Sequence, residues 1–211
     1  MTLKRHGKVS DQPQLGVESY GVESWLSKAT PGDPRVDVRV RTDLGHVNVR
    51  GEADNLSFLA VIETVTGVSL PLTPNTYQMG EGDLRALWLG PSEWLLMAPS
   101  HRIDGMVSEL RTGLHDAFAA INDLSGGMVT LEVSGPESTD LLSKGCTLDF
   151  HPLSFTAGQC AQSGFAKANV LIAKLLNEPR YSISVRRTFA DYVLTWMTAR
   201  AGSDGLAITS V

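Results

Sequence analysis

Residues 36–117 and residues 120–200 run through the same features in the same order. Gly51 matches Gly135, Gly67 matches Gly145, Leu72 matches Leu153, Trp94 matches Tyr181 and Ile103 matches Phe189. The spacings are 84, 78, 81, 87 and 86 residues, so they drift only by loop-sized amounts. Two copies are too few for a solenoid. They predict one duplicated α+β domain, each half running strand, helix, connection, strands, helix, with mainly antiparallel sheets.

The elements are read from periodicity. Val36, Val38 and Val40 alternate as a strand, and Val47 and Val49 are expected to return as its hairpin partner after a turn at Asp43-Leu44-Gly45. A helix is predicted from Gly51 to about Thr66, with Gly67 as its left-handed cap. Strands follow at 76–79, 84–89 and 93–98, then a helix over 102–117. The second half repeats this. A strand at 128–133 leads to a helix opened by Gly135-Pro136 and capped by Gly145. Strands at 158–167, 169–176 and 181–185 and a helix over 188–200 complete it. Residues 31–211 are therefore read as a single domain. Residues 1–30 are weakly patterned and read as an arm, in which Tyr20 and Trp25 are candidate anchors on a partner.

With 211 residues the chain can bury a full core without disulfides or a structural metal. Eighteen Lys and Arg against 23 Asp and Glu leave a net charge of −5, which argues against a nucleic-acid partner. No apolar run reaches the ~20 residues of a membrane helix, and the N-terminus has no apolar stretch behind its charges. The cytoplasm is the expected compartment.

The sequence carries none of the common catalytic motifs. There is no P-loop, no G-x-G-x-x-G after a strand and no G-x-S-x-G elbow. The five histidines have no metal-ligand spacing, and Cys146 and Cys160 form no C-x-x-C pair. No catalytic, cofactor-binding or metal residue is assigned. Asp123 enters the strand at 128–133 and could hold a ligand amine; an Asx turn is the plainer use of that residue. Arg186 and Arg187 lead a helix, where two cations oppose the macrodipole, and so call for a carboxylate partner.

Five ordered motifs carry a family resemblance over residues 35–200. They are Leu89-Gly-Pro-Ser-Glu-Trp-Leu-Leu96, Asp123-Leu-Ser-Gly-Gly with Leu131-Glu-Val-Ser-Gly-Pro136, the stretch Leu142 to Pro152, Gln159-Cys-Ala-Gln-Ser, and Arg187-Thr-Phe-Ala-Asp-Tyr192. Together they resemble the gamma subunit of heterotetrameric sarcosine oxidase, whose fold is similar to the folate-binding domain of the glycine-cleavage T-protein (an aminomethyltransferase). The resemblance implies a non-catalytic gamma subunit with alpha, beta and delta subunits as partners. It implies that FAD, FMN, NAD, tetrahydrofolate and zinc belong to those other subunits and none to this chain. It leaves two alternatives: a sibling complex acting on another N-methyl amino acid, and a freestanding folate-binding protein with Asp123 in its pocket. A relative linked to tRNA modification is disfavoured, because Lys144-Gly-Cys146 continues as Thr-Leu-Asp-Phe.

Overall fold

A computed structural model describes residues 34–175, 177–201 and 205–210. Tyr20 and Trp25 lie outside the described residues. Among the described residues eleven strands and four α-helices follow one another, first β1 (Val36–Arg41), β2 (Leu44–Arg50), α1 (Leu56–Thr66), β3 (Tyr77–Met79), β4 (Arg85–Gly90), β5 (Glu93–Pro99) and α2 (Ser100–Gly113). The second half adds β6 (Ala120–Asp123), β7 (Met128–Ser134), α3 (Ser138–Gly145), β8 (Cys160–Phe165), β9 (Ala168–Lys174), β10 (Arg180–Arg186), α4 (Ala190–Arg200) and β11 (Leu206–Ser210).

Two sheets result. One has five strands in the order β3-β4-β5-β2-β6, the other six in the order β11-β1-β7-β10-β9-β8. Every strand pair is antiparallel except β1 with β11. Apart from β11, the two orders are one pattern written twice. Val49 pairs with Trp94 and Val133 with Tyr181, so the equivalence of Trp94 with Tyr181 holds in the register. Gly145, by contrast, is the last residue of α3 and not a left-handed cap like Gly67, the helix ending at Cys146 in extended backbone.

The expected hairpin of β1 and β2 does not form. β1 pairs with β7 and β11 in the six-stranded sheet, while β2 pairs with β5 and β6 in the other. Alternation specifies a buried face but not a neighbour. β2 is buried on both faces, as a central strand must be. β6 mirrors β1: it precedes β7 yet pairs with β2. Each half lends its first strand to the other half's sheet.

Helices lie on the outer faces. Phe58 and Ile62 of α1 and Ile103 and Leu110 of α2 pack on Trp94 and Leu96, while Leu141 and Leu142 of α3 and Val193 and Met197 of α4 pack on Leu131 and Ile183. Leu87, Leu95, Met97, Leu171 and Ala173 form a third cluster from the two inner sheet faces. α1 begins later than glycine spacing predicts, because Asn55 accepts the Phe58 N–H at 3.1 Å and caps it; Gly67 ends it with φ 76°. α3 likewise begins at Ser138, not at Pro136, since Gly135 turns with φ 106°.

Candidate functional site

Between the sheets the chain buries polar side chains as well as apolar ones. β2 and β7 place His46 and Thr130 there, and β5 and β10 place Met97 and Ser184 there. His46 Nε2 lies 2.8 Å from Thr130 Oγ1, and Thr130 Oγ1 lies 3.0 Å from Ser184 Oγ. Ser184 Oγ also meets Met97 Sδ at 3.8 Å. His46 and Thr130 are equivalent residues of the two halves, and so are Met97 and Ser184. The internal two-fold relation therefore passes between these four side chains.

On one side of this centre the gap is filled by charge. Glu132, 4 % exposed, receives Arg41 at 2.7 Å, Arg85 at 2.9 Å and Arg180 at 3.1 Å. Arg41 also pairs with Asp43 and Asp83, each at 2.8 Å. Burial alone would raise the Glu132 carboxyl, but the hydrogen bonds and charges of Arg85, Arg180 and Arg41 outweigh it and hold the carboxyl below its usual range. Hydrogen bonding to Asp43 leads the causes that raise Arg41, against its burial.

On the other side the gap is open. A half-open cleft of about 770 Å³ runs between the sheets. Asn48, Arg50, Glu93 and Asn122 line one wall, and Gln162, Asn169, Ser184 and Arg186 the other, over Leu95, Met128 and Leu171. Glu93 is engaged by Asn48 at 2.8 Å and by Arg50 at 2.9 Å. Gln162 donates to the Leu89 carbonyl at 2.8 Å. The two sides are related position by position. Asn48 stands where the closed side has Glu132, and Glu93 where it has Arg180. Leu171 pairs with Ser184 as Arg85 pairs with Met97. Leu124, donating to the His46 carbonyl, corresponds to Arg41, which pairs with Thr130.

The residues singled out by sequence are spread out. Arg186 lines the cleft. Arg187 turns away, and its Nη1 donates to the Gly126 carbonyl at 3.3 Å. Asp123 lies in a separate depression beside α2, with Asp104 and Arg111, and its Oδ1 accepts the Ser125 N–H at 2.8 Å in an Asx turn. No motif marks Arg41, Arg85 and Glu132, because single charged residues set between apolar strand residues read as a solvent face. Cys160 is buried at the seam, donating to the Thr76 carbonyl, and burial pushes its thiol up to about 12. That thiol is no nucleophile at neutral pH. Among the described residues no group of three or more His, Cys, Asp or Glu is placed to hold a metal ion.

The model of the sarcosine oxidase, gamma subunit family matches residues 50–203. A sarcosine oxidase subunit gamma of Corynebacterium sp. (strain P-1) is 30% identical over 151 residues, covering 72% of this chain and 72% of its own. Another, from an Arthrobacter species, is 27% identical over 161 residues, covering 76% of each. Among solved structures, a chain of the heterotetrameric sarcosine oxidase from Corynebacterium sp. U-96 matches with a TM-score of 0.78 and 22% identity, over 88% of this chain and 93% of that one. The aminomethyltransferase T of the glycine cleavage system from Bartonella henselae matches with a TM-score of 0.63 and 13% identity, over 83% of this chain and 48% of that one. At such identities these two likenesses establish the fold.

Proposed function

The chain belongs to the sarcosine oxidase gamma subunit family, and on that premise we propose that it is the non-catalytic gamma subunit of a heterotetrameric sarcosine oxidase. The observation that carries this reading is the family match over residues 50–203, which spans both halves of the duplicated domain. Its partners are the alpha, beta and delta subunits of that complex. FAD, FMN, NAD, tetrahydrofolate and zinc are assigned to those subunits. The chain's part is mechanical: a rigid body, locked by strand exchange, docks on the flavin-bearing subunits and helps hold them together while they demethylate sarcosine.

Surface chemistry supports a docked subunit. Phe118 is 90 % exposed, Leu153 88 % and Leu56 79 %. Each is a side chain that a partner surface would cover on docking. No helix of the described residues is long and apolar enough to cross a membrane, and we place the complex in the cytoplasm.

The test is a tagged pull-down from the native host at native expression, with an absorbance spectrum of the eluate. A yellow eluate with three further chains, oxidising sarcosine, is the expected result. A colourless single chain would overturn the proposal, and titration with tetrahydrofolate would then test a freestanding folate-binding role. A yellow complex that prefers another N-methyl amino acid would assign the chain to a sibling oxidoreductase.

A further inference from the structure

We infer that the open side of the inter-sheet gap is a docking trough for an extended, carboxylate-bearing segment of a partner polypeptide. The inference rests on the subunit reading and names the surface through which that subunit is held.

The closed side shows what such a gap requires. There the chain supplies its own carboxylate, Glu132, and gathers Arg41, Arg85 and Arg180 around it. On the open side the equivalent of Glu132 is Asn48, which has no charge to offer. The acid that does line the open side, Glu93, is already bound by Arg50 and Asn48. Arg186 is left over. It is exposed at the end of β10, lines the trough, and its guanidinium makes no hydrogen bond or ion pair with a described residue. On a chain of net charge −5 this is a local cationic site, and its complement is a carboxylate.

The walls select an extended main chain. Asn122 and Asn169 face the trough from opposite sheets, are exposed, and spend no side-chain hydrogen bond on a described residue. Each amide offers both a donor and an acceptor, as one peptide unit requires. Leu95, Met128 and Leu171 beneath them take an apolar side chain. This mixture, in a trough open along one side, resembles groove recognition of an extended peptide. A small anion is bound by enclosure over most of its surface, which a half-open trough does not give. The partner segment would thus place a carboxylate on Arg186, its peptide groups on Asn122 and Asn169, and an apolar side chain on the floor.

The experiment uses the full tagged chain expressed in its host, with the photo-crosslinking residue p-benzoylphenylalanine in place of Gly164, which lines the trough and has open space around a Cβ. Arg186→Glu is compared with Lys167→Glu, an exposed change outside the trough. Arg186→Gln, which removes only the charge, runs alongside so that a folding defect in the reversal does not decide the matter. The expected result is a cross-linked peptide from another subunit that contains Asp or Glu. Recovery of that subunit should fall at least about tenfold with R186E and fall also with R186Q, but not with K167E. An intact complex with no cross-link at position 164, a cross-link into residues 1–33 of the same chain, or full recovery with R186E and R186Q would overturn the inference and leave the subunit reading standing. A parent chain that emerges alone and colourless would overturn the subunit reading and the inference together.

Discussion

Nε2 of His46 lies 2.8 Å from Oγ1 of Thr130, and these two residues occupy the same position in the two halves of the chain. A duplicated domain whose halves share an interface must bring some equivalent pair together on its axis. Here one member has become an imidazole and the other a hydroxyl, which is a hydrogen bond rather than a clash of two identical groups. His46 is 1 % exposed, and its Nδ1 has no hydrogen-bond partner among the described residues. Burial lowers its basicity to about 4, against a smaller opposing pull from the Asp123 charge. The ring is therefore neutral at physiological pH.

Stability should fall on acidification before the carboxylates titrate. The unfolded His46 accepts a proton near 6.5, the folded one near 4. Between those values the unfolded state binds more protons, so stability rises with pH there and is lost as pH falls, by about 3 kcal/mol at pH 4. Glu132 contributes loss only below its ordinary range, because its folded carboxyl is held lower still. Urea unfolding between pH 5 and 6.5 isolates the histidine. His46→Gln should flatten the slope in that window; an unchanged slope would show that His46 does not cause it.

Glu132→Gln should be among the most damaging isosteric changes in the protein. It leaves the buried Arg41 and Arg85 facing a neutral amide, together with the half-exposed Arg180. Removing one partner from a buried charge cluster costs about 3–5 kcal/mol, because the remaining charges stay desolvated. Arg85 is already short of partners, with Nε and Nη1 unpaired among the described residues. Asp83, about half exposed in the same network, should cost under about 1 kcal/mol when changed to Asn. Chemical unfolding of the two variants measures the contrast, and equal costs would contradict it.

The equivalence of Trp94 with Tyr181 was legible in the sequence, because a repeat preserves register even where loops drift: Val49 pairs with Trp94 as Val133 pairs with Tyr181. The left-handed cap at Gly67 was readable for a local reason. The exchange of β1 and β6 was not. Alternation at Val36, Val38 and Val40 says that one face is buried, and nothing in it says by which sheet. β6 buries only Ile121, too little to show as a strand. The cleft escaped as well: its walls come from strands of both halves, and Asn122, Asn169 and Gln162 look like ordinary surface amides until the two sheets face each other.

Two left-handed glycines should respond unequally to alanine. A Cβ at Gly67 would meet nothing within 4 Å, so Gly67→Ala carries only the backbone penalty, about 1–2 kcal/mol. At Gly135, with φ 106°, a Cβ would lie 2.4 Å from the Arg35 carbonyl oxygen. That oxygen accepts the Glu137 N–H where β1 enters the sheet beside α3. Gly135→Ala must displace main chain as well as strain it and should cost more than about 3 kcal/mol. Paired denaturation curves decide the ranking, and a smaller loss at position 135 would refute it.

Strand exchange predicts that the halves fold together or not at all. A fragment of residues 34–117 keeps β1 but loses β7 and β11, between which β1 lies. It would expose Val36, Val38 and Val40, each 1 % exposed or less, at about 1.5–3 kcal/mol apiece. The same cut takes β6 from the edge of β2. That loss is comparable to the whole stability of a domain, about 5–15 kcal/mol. Neither 34–117 nor 118–211 should show cooperative melting alone, while an equimolar mixture should recover the far-ultraviolet spectrum of the intact chain. In the intact chain, Trp94 of one half and Trp196 of the other should report one unfolding midpoint, read from single-tryptophan variants by fluorescence. A fragment of residues 34–117 that melts cooperatively by itself would mean that β1 can find a partner within its own half, and the exchange would not be what locks the two halves together.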